Sequence, residues 1–176
     1  MLRHAGGATT IRVGDELSET EGDVLRVRPA TPEDKEFVLG LAHRFVGFGV
    51  PGWHEPRDIV SAIERVLDAP IDPSTEDPAL MVAEDEAGER LGFIRLETRS
   101  DHFTGERRGY VSEIAVDEGS EGRSVGKALM KAGEAWARDR DYRLLTLDVF
   151  AGNVRARSFY RRLGYGEDSL SMAKEL

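Results

Sequence analysis

The chain has 176 residues, of which 40% are hydrophobic and 32% charged, and a formal net charge of −9. These values are typical of one globular domain, and the acidic balance argues against nonspecific nucleic-acid binding, which needs a basic surface. The absence of cysteine excludes disulfides and a thiol nucleophile. No apolar stretch is long enough to cross a bilayer and no leader-like segment opens the chain, so we expect a cytoplasmic protein without a membrane partner.

The first half of the chain predicts an N-terminal arm and the start of a single domain. Residues 1–23 are polar and contain several glycines, and we expect an arm in which residues 11–13 are a candidate added edge strand. Residues 24–176 are predicted to form one domain without a linker or repeat. The pattern predicts, in chain order, a strand at 24–28, a helix that begins after Thr31-Pro32, a loop rich in glycine, proline and aromatics at 46–56, a helix at 57–67, and a hairpin of strands at 80–84 and 90–98.

The second half opens with a strand, a glycine-rich loop and a helix. The strand is predicted at 110–116, and an amphipathic helix begins near Val125. Small residues between them leave backbone N–H groups accessible at the positive end of the helix dipole, which favours a bound anion. The sequence therefore predicts a phosphate-binding loop.

Two common phosphate loops do not fit this segment. A nucleotide-hydrolase loop ending in Gly-Lys requires Gly at position 121 and Ser or Thr at position 128, where the chain has Glu121 and Ala128. A dinucleotide-binding fingerprint requires G-x-G-x-x-G near the start of a βαβ unit. Here the glycines are Gly119, Gly122 and Gly126, late in the chain.

A third loop does fit. The segment 121–126 resembles the pyrophosphate-binding loop of the GNAT superfamily of acyl-CoA-dependent N-acetyltransferases, usually written Arg/Gln-x-x-Gly-x-Gly/Ala. It departs from that pattern at Glu121, which replaces Arg or Gln, and at Ser124, which replaces Gly. The segment 153–165 is similar to the family's N-x-x-A-x-x-F-Y-x-x-x-G-F/Y motif at every signature position. The matching residues are Asn153, Ala156, Phe159, Tyr160, Gly164 and Tyr165.

The resemblance covers residues 80–176 well and residues 24–79 only in their order of elements. It implies an α/β (α+β) fold, with a mixed, mostly antiparallel central sheet of about six or seven strands and about four helices on both faces. The family separates its two central strands at the strand predicted for 110–116, which leaves backbone groups unpaired for the ligand. After the helix near Val125 we expect a strand at 143–150, a helix that ends at Gly164, and a final strand at 169–174.

The resemblance implies acetyl-CoA as the acyl-donor substrate, and we expect no metal. The pantetheine arm is expected to run along the strand at 114–116, with a backbone N–H near Ala115 as the oxyanion donor. The implied donor-binding residues are Ile114, Ala115, Val116, Glu121, Gly122, Arg123, Ser124, Val125, Gly126, Asn153, Ser158 and Tyr160. From the residues alone, a helix N-cap also explains Asn153, and an exposed helix position also explains Ser158.

Two residues are candidates for proton transfer. Glu113 is expected to share a mainly apolar strand face with Val111 and Ala115, and many family members carry an acid at this position, so it is the candidate base. The alternative is a structural ion pair with Arg95 or Arg108. Tyr160 is the candidate acid, because a phenol is protonated at neutral pH and the family places this tyrosine near the thioester sulfur. The alternative is a core aromatic.

The family precedent places acceptor specificity in the loop at 46–56. Phe48, Trp53 and His54 of that loop, together with Asp148, are the candidate acceptor-pocket residues. An aromatic wall suits an amine, because the ring face attracts an ammonium group. The alternative is that the aromatic residues only cover the sheet.

The sequence thus predicts an N-acetyltransferase that moves an acetyl group from acetyl-CoA to a primary amine of a small molecule or peptide. Without cysteine, a cysteinyl-acetyl intermediate is excluded, so the amine is expected to attack directly in a ternary complex. The alternative is a catalytically weak or inactive acyl-CoA-binding module with a sensing or scaffold role, which the departures at Glu121 and Ser124 favour. No nucleic-acid partner is expected, and homodimers are common in the family.

Overall fold

The centre of the protein is a six-stranded sheet in the order β1-β2-β3-β4-β5-β6. The computed structural model describes residues 9–12 and 24–176. The strands are β1 Thr9–Arg12, β2 Val24–Pro29, β3 Ala79–Glu84, β4 Arg90–Ser100, β5 Arg107–Val116 and β6 Leu145–Leu147. Neighbouring strands are antiparallel except β5 and β6, which are parallel. The predicted mixed, mostly antiparallel sheet is confirmed, and the predicted arm apart from β1 lies outside the described residues.

Helices cover both faces of this sheet, as predicted. The four α-helices of the described part are α1 Lys35–Gly40, α2 Pro56–Leu67, α3 Val125–Arg138 and α4 Val154–Arg162. One core lies under α3 and α4, and a second core lies under α1 and α2, where Val38 and Leu67 pack on Phe93. None of the described helices is both long and apolar enough to cross a membrane.

The sequence of α3 explains how one helix fixes the larger core. Its apolar residues recur three and four positions apart, so they form one stripe against the sheet. They are Val125, Ala128, Leu129, Ala132 and Trp136, each at most 6% exposed. Burial of a leucine such as Leu129 stabilises the fold by roughly 2 kcal/mol. A Cβ atom on Gly133 would lie 3.1 Å from Ile94 Cδ1, so this glycine lets α3 approach β4 closely.

A buried ion cluster fixes the entry into α1. Asp34 is fully buried and accepts hydrogen bonds from Arg28 Nη1 at 2.6 Å, Arg90 Nε at 2.7 Å and the Thr31 backbone N–H at 2.8 Å. Burial opposes ionisation of Asp34, but the bonds from Arg28 and Thr31 outweigh it and lower the pKa of the carboxyl to about 2. The cluster therefore connects α1 to β2 and β4.

A bulge in β5 changes which side chains share a face of the sheet. Arg95 pairs with Glu113 but Leu96 pairs with Val111, so Ser112 is an extra residue on β5. Val111 packs in the core under α3, whereas Ala115 packs in the core under α1 and α2. The expectation that Glu113 shares a face with Val111 was therefore wrong, because the bulge reverses the alternation between them. Glu113 lies on the face that carries α1 and α2.

The strands β5 and β6 separate partway along their length. Only residues 109–111 of β5 pair with β6, at 145–147, so the rest of β5 has no strand partner on that side among the described residues. The predicted strand at 143–150 is thus shortened to three residues. The predicted final strand at 169–174 was wrong, because its backbone groups meet no neighbouring strand among the described residues, and alternation alone cannot form a ladder. Leu170 and Met172 there are 76% and 84% exposed.

Candidate active site

The loop between β5 and α3 has the backbone conformation of an anion site. The Asp117 side chain accepts a hydrogen bond from the Gly119 N–H at 3.0 Å and so closes the first turn. Gly122 has φ +84° and Ser124 has φ +61°, both in the left-handed region. Ser124 therefore adopts a conformation that favours glycine, the residue that the GNAT loop usually carries at this position.

The loop points unpaired donors toward one place. Within the described part of the chain, the backbone N–H groups of Val125, Gly126 and Lys127 have no acceptor, since the first capping bond of α3 goes from Ala128 N to Ser124 O at 3.0 Å. These are the free donors of a helix N-terminus, where the helix dipole adds positive potential. The arrangement can bind a phosphate through backbone groups alone.

The charge of Glu121 within this loop is compensated. Arg44 Nη2 donates to Glu121 Oε1, and Arg155 Nη2 donates to Glu121 Oε2 at 2.7 Å. The bond from Arg155, followed by that from Arg44, outweighs desolvation and lowers the pKa of Glu121. The glutamate that departs from the family pattern thus adds no net negative charge to the loop. Sequence reasoning missed both partners, because they lie 34 and 77 residues away along the chain.

The gap between β5 and β6 lies directly before this loop. Beyond Val111, the backbone groups of β5 that point away from β4 have no ladder partner in the part of the chain that the structure describes. Ile114 and Val116 face the core under α3, and Ala115 faces the core under α1 and α2. The predicted separation of two central strands is therefore present, and it leaves an extended backbone edge that a linear amide-containing ligand can pair with.

Helix α4 packs against the same loop. A Cβ atom on Gly126 would lie 3.2 Å from Phe159 Cζ and 3.8 Å from Val116 Cγ2, so α3, α4 and β5 meet at Gly126. Asn153 is buried and caps α4, since its Oδ1 accepts from the Ala156 N–H at 3.0 Å. The predicted N-cap is confirmed. Ser158 is half-buried on α4.

Tyr160 packs on the core under α3 and α4. Its ring lies 5.3 Å from the ring of Phe159 and 6.0 Å from that of Tyr165, centroid to centroid. Burial raises the pKa of Tyr160 to about 12, so the phenol is protonated at neutral pH. Tyr160 and Glu113 therefore lie on opposite faces of the sheet.

Glu113 is buried, 7% exposed, and paired with an arginine. Arg95 Nη1 lies 3.3 Å from Glu113 Oε2, 3.2 Å from Glu97 Oε2 and 2.9 Å from the hydroxyl of Ser112 in the bulge. Of the two arginines expected as partners, Arg95 forms the pair, while Arg108 pairs with Asp101 at 2.9 Å. One guanidinium thus holds two carboxylates on the face that carries α1 and α2.

A second polar pair lies further along this face. The Tyr110 hydroxyl donates to Asp148 Oδ2 at 2.8 Å, and Arg99 Cζ lies 3.2 Å from the Tyr110 ring centroid. Burial, followed by the bond to Asp148, raises the pKa of Tyr110 to about 12. Asp148 follows the end of β6 and is exposed. The sequence predicted a role for Asp148 but none for Tyr110. Tyr110 precedes the apolar Val111 in the predicted strand, so this alternation could have placed Tyr110 on the opposite face of the sheet.

The loop at 46–56 meets the segment between β6 and α4. The His54 ring lies 5.9 Å from the Phe150 ring, and the Trp53 ring lies 6.4 Å from that of His54. A Cβ atom on Gly152 would lie 2.5 Å from the Gly49 carbonyl oxygen, so the two backbones touch there. Trp53 is 55% exposed, and Phe48 is half-buried. The candidate acceptor residues Trp53 and His54 thus lie against the segment that leads to Asn153.

A surface depression lies elsewhere on the described part of the protein. It has a volume of about 690 Å³ and lies on the outer surface of α1 and α2, lined by Leu39, Asp58, Ser61, Glu64, Arg65 and Asp68. It contains none of the loop, gap or acceptor residues. The candidate site is instead the gap between β5 and β6.

Comparison with known proteins agrees with this geometry. The model of the acetyltransferase (GNAT) family matches residues 44–165, which is more than half of the chain. The chain belongs to this family, whose members use acetyl-CoA. A solved structure of an aminoglycoside N-acetyltransferase in complex with CoA has the same fold, with a TM-score of 0.63 at 20% sequence identity, and the alignment covers 91% of this chain and 99% of that one.

Two curated relatives are similar in sequence. An aminoglycoside N(6')-acetyltransferase from Stenotrophomonas maltophilia is 30% identical over 148 residues, which cover 80% of this chain and 86% of that protein. A mycothiol acetyltransferase from Propionibacterium freudenreichii is 38% identical over 90 residues, or 51% of this chain. The match spans only 28% of the length of that mycothiol acetyltransferase.

Proposed function

We propose that the protein is an N-acetyltransferase that transfers an acetyl group from acetyl-CoA to a primary amine of a small molecule or peptide. The observation that carries the proposal is the anion loop at residues 121–126, which lies beside the unpaired edge of β5 and under α4. The three features meet at Gly126. A phosphate-bearing ligand with a linear amide arm fits this combination of free N–H donors and unpaired strand edge.

The donor is held mainly by backbone groups. The N–H groups at the start of α3 bind the pyrophosphate, and the pantetheine arm pairs with residues 114–116 of β5. Asn153 uses its Oδ1 for the cap of α4, which leaves its NH₂ group to donate to a pantetheine carbonyl. The thioester then lies in the gap between β5 and β6, and a backbone N–H near Ala115 that points away from β4 is the oxyanion donor.

The chemical step is a direct acyl transfer. The amine nitrogen attacks the thioester carbon, forms the C–N bond and loses a proton to the Glu113 carboxylate through a water molecule. The tetrahedral intermediate collapses with cleavage of the C–S bond. Tyr160 gives its proton to the leaving thiolate, whose conjugate acid has a pKa of about 8.5 in the reference thiol. Solvent then returns the proton from Glu113 to Tyr160, so the products are the acetylated amine and free CoA.

The acceptor is a polar amine that enters on the face carrying α1 and α2. Glu97, Glu113 and Asp148 offer carboxylate oxygens on that face, which suit an ammonium group and hydroxyls. Exposed Trp53 provides an apolar wall at its border. The names of the two relatives, an aminoglycoside N(6')-acetyltransferase and a mycothiol acetyltransferase, support a small-molecule amine over a protein lysine.

A second candidate function is an acyl-CoA-binding module without turnover. It is favoured by the ion pair between Arg95 and Glu113, since this carboxylate already has a structural partner in the guanidinium of Arg95. The two functions share the donor site and differ only in the chemical step.

One experiment separates them. The full chain is incubated with acetyl-CoA and a panel of aminoglycosides, amino sugars, amino acids and peptides, and release of free thiol is followed. We expect thiol release that depends on at least one amine class, with the acetylated amine detected by mass spectrometry. Thermal stabilisation by acetyl-CoA without turnover on any amine would support the module. No stabilisation by any acyl-CoA would contradict both functions.

A further inference from the structure

The phosphate loop carries a glutamate that draws two arginines to it. Glu121 bonds with Arg44, which follows α1, and with Arg155 in the first turn of α4. Arg44 Nη1 also lies 3.9 Å from Glu118 Oε2, so the two arginines balance the two glutamates of the loop. The usual family loop has a single Arg or Gln at position 121, whereas in this chain the cations beside position 121 come from two other elements.

The two arginines differ in accessibility. The Arg155 side chain is 76% exposed, whereas that of Arg44 is 25% exposed. A guanidinium has five N–H donors, and Arg155 directs one terminal nitrogen at Glu121. The remaining donors of Arg155 are therefore accessible to a ligand at the loop, while Arg44 is mainly enclosed.

The position of Arg155 on its helix is electrostatically unfavourable without an anion. It lies in the first turn of α4, where the helix dipole disfavours a cation, and this turn contains no acidic residue. Glu121 compensates for part of this cost. Because the pair is exposed, it contributes little to stability, so stability alone does not explain a cation at this position.

We propose that Arg155 is a donor-binding residue that contacts a phosphate group of CoA at the loop, and that Glu121 is the residue that positions it. This inference rests on the proposed function, since it assigns a residue to the donor site of that reaction. The shared chemistry is a phosphate oxygen, which belongs either to the pyrophosphate or to the 3′-phosphate of CoA. In the bound state the guanidinium bridges the Glu121 carboxylate and this phosphate.

The test is calorimetric binding of CoA to the full chain and to single variants. Arg155→Gln is expected to weaken CoA binding roughly tenfold, the effect of one charge-assisted hydrogen bond. Arg161→Gln is the matched control, because Arg161 lies on the same helix, is 57% exposed and pairs with Glu167 at 2.6 Å, away from the loop. It is expected to change CoA binding less than about twofold.

Binding of 3′-dephospho-CoA identifies the phosphate. If Arg155 contacts the 3′-phosphate, Arg155→Gln weakens CoA but not dephospho-CoA, and if it contacts the pyrophosphate, both weaken alike. Either result supports the inference. Parent-like CoA affinity of Arg155→Gln would overturn it, and so would an equal loss in Arg161→Gln. Absence of CoA binding by the parent would instead contradict the proposed function.

The positioning role of Glu121 has its own measurement. In a Glu121→Ala background, Arg155→Gln is expected to weaken CoA binding less than it does in the parent, because the arginine is no longer held at the loop. The same tenfold effect in both backgrounds would overturn the positioning role. A change in melting temperature without a change in CoA affinity would show that the cluster is only structural.

Discussion

Replacing Asp34 by asparagine is expected to destabilise the fold by about 2 kcal/mol at pH 7. The carboxyl is fully buried among Arg28, Arg90 and Thr31; burial opposes its ionisation, but the bonds from Arg28 and Thr31 outweigh this and lower its pKa from 3.8 to about 2. At about 1.4 kcal/mol per pH unit, this difference corresponds to about 2 kcal/mol. The figure is an upper one, because the Arg90 side chain is 38% exposed and solvent screens its share.

The pH dependence of this loss identifies its cause. Because the pKa of Asp34 is lower in the folded state, its stabilisation is complete above the unfolded value of 3.8 and is lost as the pH falls toward 2. The free energies of unfolding of the parent and of Asp34→Asn, measured in urea, should therefore differ by about half as much at pH 3 as at pH 7. Asp58→Asn, at a 75% exposed side chain, is the control and should change stability little. An equal difference at both pH values would refute the reasoning.

Two further predictions concern the candidate site. Gly152→Ala should raise the KM for the amine and leave CoA affinity unchanged, because the new Cβ would lie 2.5 Å from the Gly49 carbonyl oxygen and push the acceptor loop away. In the same loop, a Cβ atom on Gly47 would meet nothing within 4 Å, so Gly47→Ala should have the same KM as the parent. Equal KM values for the parent and both variants would contradict a role for the contact between Gly49 and Gly152. Glu113→Gln should lower kcat about 100-fold with little change in the KM for acetyl-CoA. Glu97→Gln, which loses a bond to the same arginine at a residue proposed only to bind the acceptor, should retain most of kcat, and equal losses of kcat in both variants would favour a structural ion pair.

Local sequence signals predicted most of the fold. The helix α3 begins at the predicted Val125, and Asn153 caps α4 through its own side chain, since both depend on residues within one helical turn. Gly164 follows α4 with φ +90°, as expected for a helix that ends in a left-handed residue. The order of strands and helices from β2 to α4 followed from the same periodicity.

Features that depend on strand pairing were not predictable from one sequence. The bulge at Ser112 arises from a mismatch in pairing between β4 and β5, and no residue type in the sequence indicates it. For this reason Glu113 was predicted on the same face as Val111, although the two lie on opposite faces. The segment 169–174 alternates polar and apolar residues as a strand does, yet it has no strand beside it in the described part of the chain. Pairing is a property of two segments, and alternation describes only one.

Ion pairs between residues far apart in the chain could not be predicted from the sequence either. The sequence placed a lone negative charge at Glu121 in a phosphate loop, whereas the fold brings Arg44 and Arg155 to it from two other elements. The buried cluster around Asp34 likewise joins residues up to 56 positions apart. Charge at a site is therefore set by side chains that only the tertiary structure brings together.

The most direct test of the proposed acetyl transfer is the amine-dependent release of CoA thiol by the parent and by Tyr160→Phe. Loss of the phenol proton should lower kcat about 100-fold while acetyl-CoA affinity stays within about twofold, since the ring and its packing remain. Tyr142→Phe is the control, because the Tyr142 hydroxyl bonds to Thr98 at 2.7 Å outside the gap, and its rate should match the parent. An unchanged kcat for Tyr160→Phe would contradict the assignment of the proton donor, and no amine-dependent release by the parent would contradict acetyl transfer itself.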